Sequence, residues 1–162
     1  FLKRGGMIAA NIDWFDLCPV VSSTVFHLSI VGVYIAQKRG RDRWVKSFGT
    51  VTLLLALPLA VVFFHYLFTR EPTWKLVSFG FIFFYLLVEW LLDFVFKVEF
   101  RQKLLPHVLY ILLFYTAIIG FIRMSFAVSV IGGYVVSVCF WILLGALIYN
   151  LAGQKRQRPS GP

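Results

Sequence analysis

The sequence predicts an all-α integral membrane protein in which five transmembrane helices form one bundle. Hydrophobic residues make up 60% of the 162-residue chain and charged residues only 14%, whereas soluble domains are about half apolar and about a quarter charged. The mean hydropathy is correspondingly high, at +0.83. The apolar residues also fall into separate runs, each close to the roughly 20 residues that a helix needs to cross the hydrocarbon core.

Each run can be justified as a helix in chain order. The first is the weakest, because Ser22 and Ser23 dilute its start, and the second contains Pro58, which a membrane helix tolerates as a kink. The fourth has Pro106 in its first turn, where the missing N–H matters least. The short loops leave no room for a soluble domain, so we expect one transmembrane domain over 1–152 and a short basic tail over 153–162. The predicted spans are 18–37, 49–69, 74–96, 104–122 and 126–151.

The basic residues predict the orientation of the bundle. Most of the 16 Lys and Arg lie in the first loop, the third loop and the tail, which alternating spans place on the same side. The positive-inside rule assigns this side to the cytoplasm, with the N-terminus outside and the C-terminus inside. The net charge of +9 follows from this asymmetry, so we do not expect nucleic acid as a partner. The basic residues on this side are Lys38, Arg39, Arg41, Arg43, Lys46, Lys97, Arg101, Lys103, Lys155, Arg156 and Arg158.

The same pattern predicts the surroundings of the protein. We expect a multi-pass protein of a plasma membrane or a bacterial inner membrane, with the lipid bilayer around its spans. Basic loops beside a cytoplasmic leaflet attract anionic lipids. We therefore expect anionic headgroups as partners of the cytoplasmic loops.

The third span carries two acidic residues at depths where an unpaired charge is costly. At about 1.5 Å per residue, Glu89 and Asp93 lie roughly 5 and 10 Å from the middle of the span, inside the hydrocarbon half-thickness of about 15 Å. Tyr85, Glu89, Asp93 and Lys97 are each four residues apart and share one helix face. Charged residues in a span almost always face the bundle interior or an aqueous cavity. The sequence therefore predicts a polar cavity around these acids.

Two interpretations of the acids stay open. In the first, Lys97 forms an ion pair with Asp93, and a neutral Glu89 hydrogen-bonds to a Tyr or Ser of a neighbouring helix, so that both acids serve packing alone. In the second, Glu89 binds a proton or a cation, with Asp93 as its coupled partner. His27 joins this cavity in the second interpretation, because its depth in the first span approaches that of Glu89. A lone membrane histidine is more often a hydrogen-bonded packing residue.

The fifth span carries small residues at helical spacing. Ser129, Gly133 and Ser137 recur every four residues, and Gly145 follows on the same stripe after Trp141. Small residues at this spacing allow close approach of a second helix. The stripe predicts a packing face, either inside the bundle or between the subunits of a homo-oligomer.

Three classes of protein fit these features. The leading prediction is a transport or channel-like protein with a polar cavity around the acids of the third span. The first alternative is an integral membrane enzyme that uses Glu89 or Asp93 as an acid or base on a lipid. The second alternative is a non-catalytic membrane subunit or assembly factor. The chain contains no phosphate-binding loop, metalloprotease or nucleophile-elbow motif, so we expect neither a metal nor a cofactor.

Overall fold

The computed structural model describes residues 14–92 and 104–157, with side chains described for 14–92 and 108–152. Secondary structure in these ranges is entirely helical, and five segments are long and apolar enough to cross a membrane. This confirms the predicted all-α class and its five potential spans. The helices are α1 (Trp14–Lys38), α2 (Asp42–Leu54), α3 (Ala56–Phe68), α4 (Thr73–Trp90), α5 (Leu104–Val128) and α6 (Val130–Gln157).

Helices α2 and α3 form the second span, Asp42–Phe68, with a break at Leu55. The break follows from Pro58, which lacks the N–H that would bond the carbonyl of Leu54 one turn earlier. The span also begins earlier than predicted, since the helix starts at Asp42 within the basic segment. The basic residues after Asp42 therefore lie on the first turns of a helix.

Helix α1 lies at the centre of the bundle and packs against α2, α3, α5 and α6. Its middle residue, Phe26, is fully buried, and its ring contacts Tyr85 of α4 and Phe114 and Phe121 of α5. The serines that made the first span look weak are buried too, as at Ser23. Small side chains suit a helix that is surrounded by other helices rather than by acyl chains.

Helices α1 and α6 run parallel, as two contacts at opposite ends show. Near their C-terminal ends, Asn150 Nδ2 donates a hydrogen bond to Gln37 Oε1 at 3.1 Å. Near their N-terminal ends, a Cβ on Gly132 would lie only 3.1 Å from Val20. The bundle thus has one end that holds residues 38–43, where α1 ends and α2 begins, together with the C-terminal part of α6. We call this the basic end.

A polar cluster stabilises the opposite end of the bundle. It includes a backbone carbonyl that lacks its usual helical hydrogen bond. Pro19 removes the N–H that would otherwise bond the carbonyl of Phe15. The hydroxyl of Tyr66 lies 3.4 Å from that oxygen and donates to Asp16 Oδ1 at 3.1 Å. The ammonium of Lys75 lies 4.8 Å from the centre of the Tyr66 ring. These contacts join α1, α3 and α4.

The junction between α5 and α6 differs from the prediction. The sequence placed Arg123 in a loop, but α5 continues to Val128, and the guanidinium carbon of Arg123 lies 4.5 Å from the centre of the Trp74 ring. The face of an aromatic ring attracts a cation, so the charge is accommodated on the helix. The chain breaks instead at Ser129, whose Oγ accepts a hydrogen bond from the N–H of Gly132 at 2.8 Å, as an N-cap does.

The contact between α1 and α2 depends on Gly32, and its substitution is our first prediction. A Cβ at this position would lie 2.8 Å from the ring of Phe48. We expect Gly32→Leu to lower the free energy of unfolding by about 1–3 kcal/mol through overpacking. Adding Phe48→Ala should recover most of this loss by removing the clashing ring. The measurement is reversible unfolding of the purified protein in mixed micelles.

The matched control for this prediction is Gly80→Leu, because a Cβ on Gly80 meets no atom within 4 Å. An equal loss of stability in Gly32→Leu and Gly80→Leu would show that the contact between α1 and α2 does not limit the size of residue 32.

Candidate functional site

Glu89 lies at the contact between α4 and α5 and belongs to a chain of hydrogen bonds. The hydroxyl of Tyr110 donates to Glu89 Oε2. The same Tyr110 oxygen lies 3.2 Å from the hydroxyl oxygen of Tyr85. A phenol carries one hydroxyl hydrogen, and Tyr110 gives it to Glu89, so Tyr85 is the donor in the second contact. We call Tyr85, Tyr110 and Glu89 the tyrosine–glutamate chain.

Helical spacing places the members of this chain together. Tyr85 and Glu89 are four residues apart and therefore share one face of α4. On α5, Tyr110 and Phe114 are four residues apart, and both rings contact Tyr85, with centroids 5.9 and 5.4 Å away. Tyr85 is fully buried and Glu89 partly buried. The carboxyl group thus joins two helices at the margin of the aromatic core.

The depth of Glu89 can be measured against α1. Phe26 is the middle residue of α1, and its ring lies 5.8 Å from that of Tyr85. Glu89 is one turn, about 6 Å, beyond Tyr85 toward the basic end, whereas Lys38 lies about 18 Å beyond Phe26. The hydrocarbon half-thickness of a bilayer is about 15 Å. A bundle centred on Phe26 would therefore hold Glu89 within the hydrocarbon region and Lys38 outside it.

Tyr110 is the member of the site that sequence reasoning missed. From the sequence, the expected partner of Glu89 was an unnamed Tyr or Ser. A usable signal was present, because α4 and α5 are consecutive spans and run in opposite directions. Tyr110 lies six residues after the predicted start of its span at 104, and Glu89 lies seven residues before the predicted end of its span at 96. Equal depth on neighbouring helices was enough to suggest the pair.

His27 is placed outside the tyrosine–glutamate chain. Its ring is fully buried, and Nδ1 lies 2.7 Å from the carbonyl oxygen of Ser23. Its ring contacts are with Phe26, Phe121 and Phe140. The ring of Phe26 contacts both His27 and Tyr85, so one aromatic side chain connects the two predicted site residues. Nε2 of His27 has no hydrogen-bond partner among the described residues.

The unpartnered nitrogen gives our second prediction. Leaving a buried polar atom without a partner costs about 1–3 kcal/mol, so we expect His27→Leu to raise the free energy of unfolding by about 1 kcal/mol. The comparison variant is His65→Leu, because His65 stacks on Phe15 with ring centroids 3.7 Å apart and should lose stability. Reversible unfolding in mixed micelles measures the free energy of unfolding of both variants. A lower stability of His27→Leu would mean that Nε2 has a partner.

A lateral groove of about 560 Å³ opens beside α4 at the break between α2 and α3. Every residue that lines it is apolar, and it contains none of Tyr85, Glu89 and His27. Leu86, three residues before Glu89, and Trp90, which follows it, belong to its wall. The lining residues are Leu53, Ala56, Phe83, Phe84, Leu86, Leu87 and Trp90.

The residues of the predicted packing stripe on α6 have different structural roles. Ser129 caps the helix, and a Cβ on Gly133 would collide with the ring of Phe126 on α5, so Gly133 permits a close approach inside the bundle. Ser137 donates a hydrogen bond to the carbonyl of Gly133 at 2.8 Å. Gly145 is exposed and lines a groove between α1 and α6.

Two predicted site residues lie outside the described residues. Asp93 and Lys97 both fall between 92 and 104, so their ion pair and their place in a cavity stay predictions. Within residues 14–92 and 104–157, no three of His, Cys, Asp and Glu lie close enough together to hold a metal ion.

Comparison of the chain with protein families, curated proteins and solved structures finds no match. The functional conclusion therefore rests on the geometry of the tyrosine–glutamate chain and on the membrane class of the fold.

Proposed function

We propose that this chain is a small transport or channel-like membrane protein in which Glu89 binds a proton or a cation. The observation that carries the proposal is the hydrogen bond from Tyr110 to Glu89, continued to Tyr85. A carboxyl group in a membrane span is costly and is typical of ion pathways and proton relays. The two phenol hydroxyls and the carboxyl group are three groups that can exchange a proton, and they are connected by consecutive hydrogen bonds. This arrangement suits the movement of a proton.

The proposal includes an orientation. The basic end holds Lys38, Arg39, Arg41 and Arg43, so we place it at the cytoplasmic surface. Glu89 lies on the basic-end side of Tyr85 and would then exchange its proton or cation with the cytoplasm. Asp93 lies outside the described residues, and its role as the coupled partner of Glu89 stays part of the proposal.

A second candidate function is favoured by the lateral groove. Its wholly apolar wall beside α4 suits an acyl chain, and Glu89 is adjacent in sequence to Trp90 of that wall. An enzyme that acts on a lipid could use Glu89 as a general acid or base. Such an enzyme would convert lipid in detergent solution without any gradient, whereas a transport protein would not.

The test is reconstitution of the full chain in liposomes with an entrapped pH-sensitive or sodium-sensitive dye. We expect flux down an imposed gradient, and we expect Tyr110→Phe to reduce its rate by about fivefold, since one hydrogen bond contributes about 1 kcal/mol. Tyr115→Phe is the matched control. Tyr115 lies on the same helix, is partly buried and contacts the ring of Phe114.

Each outcome of the reconstitution decides between the candidates. Flux that depends on Tyr110 but not on Tyr115 supports the transport proposal. A wild-type rate equal to that of protein-free liposomes would overturn it, and lipid turnover in detergent would then favour the enzyme. If neither flux nor lipid turnover is observed, the tyrosine–glutamate chain is a packing contact in a non-catalytic subunit.

A further inference from the structure

A second groove, of about 350 Å³, lies between α1 and α6 at the basic end and is independent of Glu89. Val31 and Ile35 form its wall on α1, and Ile142 and Ala146 form its wall on α6. Gly145 also lines it, and a Cβ there would meet no atom within 4 Å. The body of this α1/α6 groove is therefore apolar and open to whatever surrounds the bundle.

The length of the groove matches one leaflet of a bilayer. On α1 its residues run from Val31 to Arg39, which is about 12 Å at 1.5 Å per residue. On α6 they run from Ile142 to Tyr149, about 10 Å. The hydrocarbon part of one leaflet is about 15 Å deep. The groove thus extends from the basic end through most of the depth that an acyl chain occupies.

The groove has a cation where it reaches the basic end of the bundle. Arg39 lines it there, is exposed, and makes no hydrogen bond or ion pair through its side chain within the described part of the molecule. The neighbouring Lys38 is already engaged, since its ammonium donates to the carbonyl of Tyr149 at 3.0 Å and lies over the ring of that residue. Arg39 is therefore available to an anion at the level of the headgroups.

We infer that the α1/α6 groove binds one anionic phospholipid, with an acyl chain along the apolar wall and the headgroup phosphate at Arg39. A guanidinium group binds phosphate through two parallel hydrogen bonds. A zwitterionic lipid carries the same phosphate but brings its own cation beside Arg39, and an apolar helix would leave Arg39 without a counter-charge. A second copy of the chain would bring its own basic end, with Arg41 and Arg43, against the same charge. An anionic lipid satisfies the apolar wall and the cation together.

The experiment is native mass spectrometry of the full chain, titrated in an uncharged detergent with dioleoylphosphatidylglycerol or dioleoylphosphatidylcholine. We expect one tightly bound phosphatidylglycerol, with an affinity about tenfold higher than for phosphatidylcholine, because the choline cation of phosphatidylcholine offsets the charge of the same phosphate. Arg39→Gln should remove this preference. Arg41→Gln, which loses the same charge from the same turn but does not line the groove, should change the affinity by less than about twofold.

The apolar wall is tested separately with Gly145→Leu, because a Cβ at this position meets no atom within 4 Å and the longer side chain would occupy the groove. We expect this variant to lose tight binding of both lipids, and Gly80→Leu, equally open to its surroundings, to keep it. Equal losses in Arg39→Gln and Arg41→Gln would overturn the inference in favour of diffuse electrostatic attraction. A lipid-free dimer that Gly145→Leu dissociates would also overturn it, because a second copy would then occupy the groove.

Discussion

Glu89→Gln is expected to reduce proton or cation flux by about a hundredfold, or to the rate of protein-free liposomes. Glutamine has the size of glutamate, and its amide oxygen can still accept the hydrogen bond from Tyr110. It cannot bind or release a proton at neutral pH. Positioned proton transfer contributes factors of about 10²–10⁴ in enzymes, and we expect a similar dependence on the carboxyl group here.

The control for this variant is its stability. Because the contact with Tyr110 survives, we expect Glu89→Gln to unfold within about 0.5 kcal/mol of the wild-type protein. Normal flux in a stable Glu89→Gln protein would contradict the proposed role of the carboxyl group. A large loss of stability would instead indicate that the charge itself holds α4 against α5.

Phe26→Ala is expected to cause the largest loss of stability in the described part of the chain. Its ring is fully buried at the centre of α1 and contacts Tyr85, Phe114 and Phe121. Replacing a buried Phe by Ala costs about 3–5 kcal/mol in soluble cores. In a bilayer the loss is mainly of packing, because the alternative surroundings are also apolar. We therefore expect a loss of about 3 kcal/mol, measured by reversible unfolding in mixed micelles.

The matched control for Phe26 is Phe81→Ala on α4, because Phe81 is 44% exposed. We expect Phe81→Ala to change the free energy of unfolding by less than about 1 kcal/mol. Phe26→Ala should also reduce flux, since its ring fixes the position of Tyr85. Equal stability losses in the two variants would mean that α1 is not the core of the bundle.

The class of the fold could be predicted from the sequence because a bilayer imposes a simple condition on it. A helix must be apolar for about 20 residues to cross, and such runs are visible without knowledge of their neighbours. The boundaries were harder to predict, because single charged residues can lie on a helix when a partner accommodates them. Arg123 on the Trp74 ring is one example, and Asp42 lies in the first turn of α2, where the helix dipole favours an acidic residue.

The site could be predicted only in part. The cost of a carboxyl group in a span pointed to Glu89 from the sequence alone. The depth of its partner Tyr110 could be estimated from the predicted spans, but which side chain at that depth faces Glu89 depends on how α5 is rotated, which hydropathy does not encode. His27 was grouped with Glu89 by depth, but its ring contacts Phe26, Phe121 and Phe140, which is a feature of packing. Depth alone does not say which residues at one level are in contact.

The most direct measurement is infrared difference spectroscopy of the protein in bilayers during a pH titration. We expect the carbonyl band of one protonated carboxylic acid to be absent in Glu89→Gln. The same band should shift in frequency in Tyr110→Phe, because it loses its hydrogen-bond donor, and stay in place in Tyr115→Phe. A carboxylic acid spectrum that is identical in all four proteins would contradict the central claim that Glu89 is a protonatable group held by Tyr110 inside the membrane.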